Sequence, residues 1–318
     1  MNKIKNLLRP TRDRVIGLLN FMYDYLSYTK NSLSNNLSSQ KQEYLIIKTY
    51  HALEKSLTFR ERNLASGGGV ALKLFNLLKD NKRKDGRRSE QENIAIKVLL
   101  DYMANSRSKD VLCIDMGELD FMEKKESRGG AHDYSIQELQ QGRLDNPDKF
   151  FLTRYSIRDF SSRLVSLEVL KKSIALALKS PSSCNRQPWK VYYTYEREKI
   201  DNILKVQTGN KGFGHEVGCL LVIASDMTAY TTSRERNQHW IDGGIFSMGL
   251  VLALHSLGVG TCCLNWSKNF MDDRKIHRIL NSPSSEKTIM MLAVGYPNEK
   301  IKVCQSTRKE VDDILIKV

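Results

Sequence analysis

Three stretches of the chain gather residue types whose chemistry exceeds what packing requires. Arg154, Ser156 and Arg158 alternate along Arg154-Tyr155-Ser156-Ile157-Arg158-Asp159-Phe160. In an extended segment, side chains two apart share a face, so two guanidinium groups and a hydroxyl point the same way. A guanidinium fork matches phosphate oxygens, which makes this face a candidate phosphate site. From spacing alone, an edge strand with solvated arginines is the plainer reading. Ser180-Pro181-Ser182-Ser183-Cys184-Asn185-Arg186-Gln187-Pro188-Trp189 crowds hydroxyls and amides into one turn, suited to the polar edge of a planar ligand. A plain turn explains its Ser and Pro but leaves Asn, Gln and Trp incidental. In Gly258-Val259-Gly260-Thr261-Cys262-Cys263-Leu264-Asn265-Trp266, glycines let a backbone approach a ligand closely, or else merely close a helix and open a strand.

The elements that must position these stretches belong to the second half of the chain. Ser166 is placed to cap a helix running through Lys179, with Leu167, Leu170, Ile174 and Ala177 on one face and Pro181 as its stop. Lys190 to Thr194 and Leu220 to Ala224 read as short strands, the second apolar enough to be buried. Gly243 to Leu257 reads as a long apolar helix closed by Gly258, with Met248 in its core, and Thr288 to Val294 as a further buried strand. The first 149 residues read as mostly helical. Val15 to Leu26, Glu43 to Phe59, Val70 to Leu78 and Ile94 to Met103 carry helical periodicity. Between them lie a Ser/Asn-rich linker (29–40), a glycine break (67–69) and a solvated basic loop (79–88). Residues 111–122 are apolar without a clear period.

The chain has 318 residues, enough for roughly two domains, and ordinary fractions of hydrophobic (41%) and charged (27%) residues, which excludes a fibre or a disordered chain. Its net charge of +14 is shared by both halves and argues only weakly for nucleic acid, since a basic surface also attracts phosphorylated cofactors and anionic lipid. The six cysteines form no C-x-x-C and fit a reduced, cytoplasmic setting. No apolar run reaches membrane-spanning length. The flank Lys3, Lys5, Arg9, Arg12 and Arg14 makes the first helix basic and amphipathic. Docking on the rest of the protein is its plain reading, and a weak membrane-surface contact its second. His51 and Glu54 lie one helical turn apart, but no second pair completes a metal site. Gly212-x-Gly214-x-x-x-Gly218 misses the dinucleotide-binding spacing. His215 and His255 read as hydrogen-bonded structural histidines, and Cys262-Cys263 as a buried pair with only Lys268 near enough to lower a thiol pKa.

Taken together and in this order, R-x-S-x-R and S-P-S-x-x-N-x-Q-P-W, separated by one amphipathic helix, resemble the FMN-dependent nitroreductase-like family over residues 150–318. The resemblance implies an α+β fold, with a mixed sheet flanked by helices and preceded by a helical extension (1–149). It implies that Arg154, Ser156 and Arg158 hold the FMN phosphate and ribityl chain, with Arg308 as a second phosphate ligand. Pro181, Ser182, Ser183 and Asn185 would reach the flavin from the partner subunit of a homodimer. Asn210 would meet the pyrimidine side of the ring, and the backbone of a loop at Cys263-Leu264-Asn265 would face flavin N5. Many relatives carry an acidic residue and Gly near N5, where this chain has Leu264-Asn265-Trp266.

The implied activity is ping-pong reduction of a small organic acceptor by NAD(P)H. No residue is singled out as catalytic, because the redox chemistry belongs to the cofactor. Tyr50-His51-Ala52-Leu53-Glu54-Lys55-Ser56-Leu57 resembles an extension of nitroreductase-like proteins from polysaccharide gene clusters. That opens an alternative, a non-catalytic flavin-binding or interaction protein accessory to polysaccharide biosynthesis. The segment is expected to pack near the pocket mouth with His51, Glu54 or Lys55 toward the substrate, or else to form a remote arm.

Overall fold

The computed structural model describes residues 2–34, 38–61, 63–80, 88–118 and 129–318. Most of the basic loop read at 79–88, and the side chains of the flank at Lys3, Lys5 and Arg9, lie outside the described residues.

Four helices make up the first third: α1 (Asn2–Asn31), α2 (Ser39–Leu57), α3 (Gly68–Asp80) and α4 (Glu90–Ala104). Helix α1 is longer than its apolar stretch suggested, which shortens the expected linker. Ser38 and Ser89 cap α2 and α4 through their hydroxyls, and Glu92 completes a capping box on α4. Of the stretch 111–122, the described part forms two short 3₁₀ turns, Lys109–Cys113 and Met116–Glu118, and 119–122 lie outside the described residues. Tyr44, Ile47, Leu53, Leu74, Leu78, Ile96 and Leu99 form one apolar core, which Met227, Ala229 and Tyr230 of the second half complete.

Short helices α5 (Ile136–Gln140) and α6 (Pro147–Leu152) lead to α7 (Leu167–Ala177), β1 (Trp189–Thr194), α8 (Arg197–Gln207), β2 (Cys219–Asp226), α9 (Gln238–Ser256), β3 (Gly260–Asn265), α10 (Phe270–Leu280) and β4 (Glu286–Gly295). The four strands pair antiparallel in the order β1-β2-β4-β3. Among the described residues the one parallel contact is an isolated bridge, Ser156 to Thr261. Alternation along β2 sends Leu220 and Val222 to one face and Cys219, Leu221 and Ile223 to the other. The first face packs on Ile200, Ile203 and Leu204 of α8 and Ile276 of α10, the second on Leu170 of α7 and Phe246, Leu250 and Leu254 of α9. The fold is therefore α+β, a helix-covered sheet behind a helical N-terminal third.

Helix α1 docks with its faces reversed. Its polar stripe meets the second half: Asn20 accepts from the Phe270 amide (3.1 Å), Asp24 pairs with Lys287 (2.8 Å), and Tyr28 donates to the Thr232 carbonyl (2.8 Å). Val15, Leu18, Met22, Tyr25 and Leu26, at i, i+3, i+4 and i+7 spacings, face outward instead. Met248 corrects another expectation. It is 46% exposed, and with Ile241 and Ile245 it forms an outward apolar stripe on α9.

Candidate functional site

The Arg154 to Arg158 segment lies along the edge of β3 that β4 leaves free. The Ile157 amide donates to the Thr261 carbonyl at 2.9 Å, and Ile157 is buried in the core. Arg154 and Ser156 are half-buried, and Arg158 is exposed. Among the described residues neither arginine has a carboxylate partner; Arg158 reaches only the Ser156 carbonyl (3.5 Å) and Cys304 Sγ (3.9 Å). A cleft of about 390 Å³ opens between Arg154, His255, Gly258, Thr261 and Pro297. His255 Nε2 is committed to the Phe150 carbonyl at 2.9 Å, so it is structural as expected. His215 is instead largely exposed, with Glu216 at 3.5 Å.

Cys263-Leu264-Asn265 is not a loop but the second half of β3, in register with Leu292, Met291 and Met290 of β4. Because the Thr261 carbonyl faces away from β4, strand alternation turns the N–H groups of Cys263 and Asn265 to the free edge as well. Leu264 turns its amide toward β4 and its side chain into the core. Of the three residues assigned to backbone contact, Leu264 is therefore the one that cannot serve.

At the far end of that edge stands the C-terminus of α8. Gln207, buried, donates through Nε2 to the Asn265 carbonyl (3.1 Å) and accepts the Gly209 amide (2.6 Å). Asn210 spends its Nδ2 on the Leu204 carbonyl (2.8 Å), which closes α8, while its carbonyl takes the amides of Phe213 and Gly214. Its side-chain amide thus holds the helix end before it could hold a ligand. Gln207 was missed by the sequence reading, although Ile200, Ile203, Leu204 and Gln207 sit at i, i+3, i+4 and i+7.

The turn before β1 is strained. Cys184, Asn185 and Gln187 all take left-handed backbone conformations (φ 53°, 53° and 49°), uncommon for residues other than glycine. Such strain persists where surrounding contacts enforce it. Here the Ser183 amide donates to Asp242 Oδ2 (3.1 Å), the Gln187 amide to Ser182 Oγ (3.0 Å), and Gln187 Nε2 to the Asn185 carbonyl (3.2 Å). Arg186, fully buried, donates to the Ser183 and Ala229 carbonyls (2.9 and 2.8 Å) and pairs with Glu235 (2.6 Å). Pro181 is exposed, and Ser182, Ser183 and Asn185 remain partly accessible. Burial pushes the Glu235 carboxyl up, but Arg186, the Thr231 amide and Lys48 outweigh it and hold the group below its ordinary value.

Helix α2 packs against this turn. Lys48 crosses to the second half beside the turn, reaching Thr231 Oγ1 (3.3 Å) and Glu235 (3.7 Å), where a polar group at positions 51–55 was expected. His51 pairs with Glu54 (3.1 Å), Glu54 also accepts the Gly130 amide (3.1 Å), and Lys55 points to solvent. Arg308 sits on the exposed segment 302–318, bonded to the Ser306 carbonyl; among the described residues nothing joins it to Arg154 or Arg158.

Residues 152–296 match the nitroreductase family.

The matched segment contains every proposed cofactor ligand except Arg308, and the helices α1 to α4 lie outside it. The chain is similar to a putative NADH dehydrogenase/NAD(P)H nitroreductase of Archaeoglobus fulgidus, 24% identical over 48% of this chain and 86% of the relative. It is similar to an iodotyrosine deiodinase of Nematostella vectensis, 26% identical over 51% and 71%. It is also similar to an FMN reductase (NADPH) of Bacillus subtilis, 23% identical over 48% and 67%.

Within the matched segment the cysteine pair is split, not buried together: Cys262 points into the core and Cys263 is exposed. Burial raises the Cys262 thiol above its ordinary value, with Arg158 acting in the opposite direction. The nearby cation is thus Arg158, where the sequence alone pointed only to Lys268.

Proposed function

We propose that residues 150–318 form an FMN-binding domain that works as a homodimer, takes electrons from NAD(P)H and passes them to a small organic acceptor by a ping-pong scheme, with 1–149 as a helical extension. One observation carries this reading. The face of Arg154, Ser156 and Arg158, with no carboxylate to neutralise it, lies beside the open N–H groups of Cys263 and Asn265, inside a segment that matches the nitroreductase family. That donor set fits an anionic, planar cofactor, and the similarity to an FMN reductase (NADPH) supports the same choice.

FMN, when bound, supplies two-electron chemistry. The two arginines bind the phosphate by charge-assisted hydrogen bonds, and Ser156 is placed between them for the ribityl chain. The Cys263 and Asn265 amides, fixed by β-pairing, present donors that need no rearrangement during reaction. The strained turn at Ser182, Ser183 and Asn185 serves the partner's cofactor. A helix apolar on all sides is normally buried, so the outward Ile241, Ile245 and Met248 of α9 support a second copy of the chain at that face.

The outward stripe of α1, behind a basic N-terminal segment, supports a weak membrane-surface contact from a cytoplasmic position. No described helix is long and apolar enough to cross a membrane.

The test is the visible spectrum of purified protein followed by NADH and NADPH oxidation. Flavin bands at roughly 370–450 nm, bleached anaerobically by NAD(P)H, are expected. Colourless protein that takes up no added FMN overturns the reading, and bound FMN that neither nucleotide reduces favours a non-catalytic flavin-binding protein.

A further inference from the structure

A second cavity, of about 600 Å³, lies between α1 and α10 and shares no lining residue with the cleft at Arg154. That volume falls within the range of small-ligand sites, roughly 300–1,000 Å³. Its charge is one-sided. Lys30 of α1 and Arg274 and Arg278 of α10 line it, and no carboxylate does.

Two buried cations elsewhere in the molecule are neutralised by carboxylates. Buried Lys287 is held by Asp24 and Asp273, and buried Arg186 by Glu235. Lys30, Arg274 and Arg278 have no such partner among the described residues. Arg278 Nε donates to the Arg274 carbonyl (3.3 Å), and the Arg274 guanidinium stands 5.9 Å from the Tyr23 ring centre, which leaves both cations available to an anion. Three cationic donors facing one space repel each other, and a bound anion removes that cost. His277 is tied to Ser282 Oγ at 2.7 Å, which fixes the ring in the wall, while Tyr23 and Leu26 supply an apolar side.

We propose that the α1–α10 cavity binds a phosphate-bearing ligand, its phosphate held by Lys30, Arg274 and Arg278 and its less polar body lying against Tyr23 and Leu26. Guanidinium forks favour phosphate over monovalent halides because they meet two oxygens at once. The apolar wall favours an organic phosphate over the inorganic ion. A soluble nucleotide or a lipid headgroup presents the same group.

The experiment uses the full chain saturated with FMN, so that the Arg154 face is occupied. Pyrophosphate, AMP, and vesicles of phosphatidylcholine with or without phosphatidic acid are titrated at low salt against wild type, Arg278→Ala and Arg274→Ala. AMP or phosphatidic-acid vesicles are expected to bind wild type and to lose about 10-fold in affinity in each variant, as for removal of one charge-assisted contact. AMP binding assigns a soluble ligand, and vesicle binding alone, dependent on both arginines, assigns a headgroup. Both arginines are exposed, so folding is preserved, and an unchanged NADPH oxidase rate verifies it. Absence of binding by every probe, or affinity unchanged in both variants, overturns the proposal; vesicle binding that survives both substitutions reports the apolar stripe of α1 and overturns it equally.

Discussion

Ser183 donates its backbone N–H to Asp242 Oδ2 at 3.1 Å, so a helix on the sheet's covered face holds the turn that is proposed to serve the partner's cofactor. Asp242 is buried and fully used. Oδ2 also accepts Tyr230 (3.0 Å), Oδ1 accepts Gln238 (2.8 Å), and its carbonyl accepts Trp189 Nε1 (2.9 Å).

Replacing Asp242 by Ala leaves the Ser183 amide and the Tyr230 hydroxyl without their acceptor. We expect a loss of about 2–4 kcal/mol in urea unfolding, whereas Tyr230→Phe costs about 1 kcal/mol. Equal stability of Asp242→Ala and wild type would show that the left-handed turn needs no such anchor.

Arg154→Ala and Arg158→Ala should each weaken FMN binding by roughly 10- to 150-fold at low salt, with Arg158, the more exposed, at the lower end. Fluorescence titration of apoprotein measures it. Affinity unchanged in both variants refutes the phosphate assignment.

His239 is buried, its Nδ1 has no hydrogen-bond partner among the described residues, and burial together with nearby Lys287 lowers its pKa from 6.5 to about 4. The unfolded chain therefore binds a proton that the folded chain refuses between those two values. Stability rises with pH across that window and levels off above about 6.5, a change on the order of 3 kcal/mol. His239→Phe should flatten the stability profile between pH 4 and 6.5; an unaltered profile would falsify the assignment of the proton to this ring.

Met248→Asp places a charge on the outward apolar stripe of α9. Sedimentation is expected to show a dimer for wild type and monomer for this variant, with FMN released in the same variant. Monomeric protein that keeps stoichiometric FMN would place the cofactor within one subunit.

Much of the second half was legible because its signals are local. Ser166 does cap α7 through the Val169 amide, and the apolar runs around Leu220 and Thr288 are the two central strands. Charged helices hid themselves: α8 and α10 bury only a few residues each among many Lys, Arg, Asp and Glu. What could not be read at all depends on pairing. Which of Cys263, Leu264 and Asn265 offers an N–H follows from the edge Thr261 presents to Ile157, a contact between residues far apart in sequence. Likewise α1 has the pattern of a helix that buries its apolar face, and only the contacts of Asn20, Asp24 and Tyr28 with the second half show that the polar stripe is the docked one.

The apolar core of α2, α3 and α4 is completed by Met227, Ala229 and Tyr230. During synthesis, then, the N-terminal third leaves the ribosome well before the residues that finish its interior. A chain elongating at about 5–20 residues per second would expose that unfinished face for roughly 5–25 seconds, long enough for chaperones to engage it. Truncated products that stop short of Tyr230 should be insoluble, and the two halves should commit to the native state together, not in order of translation.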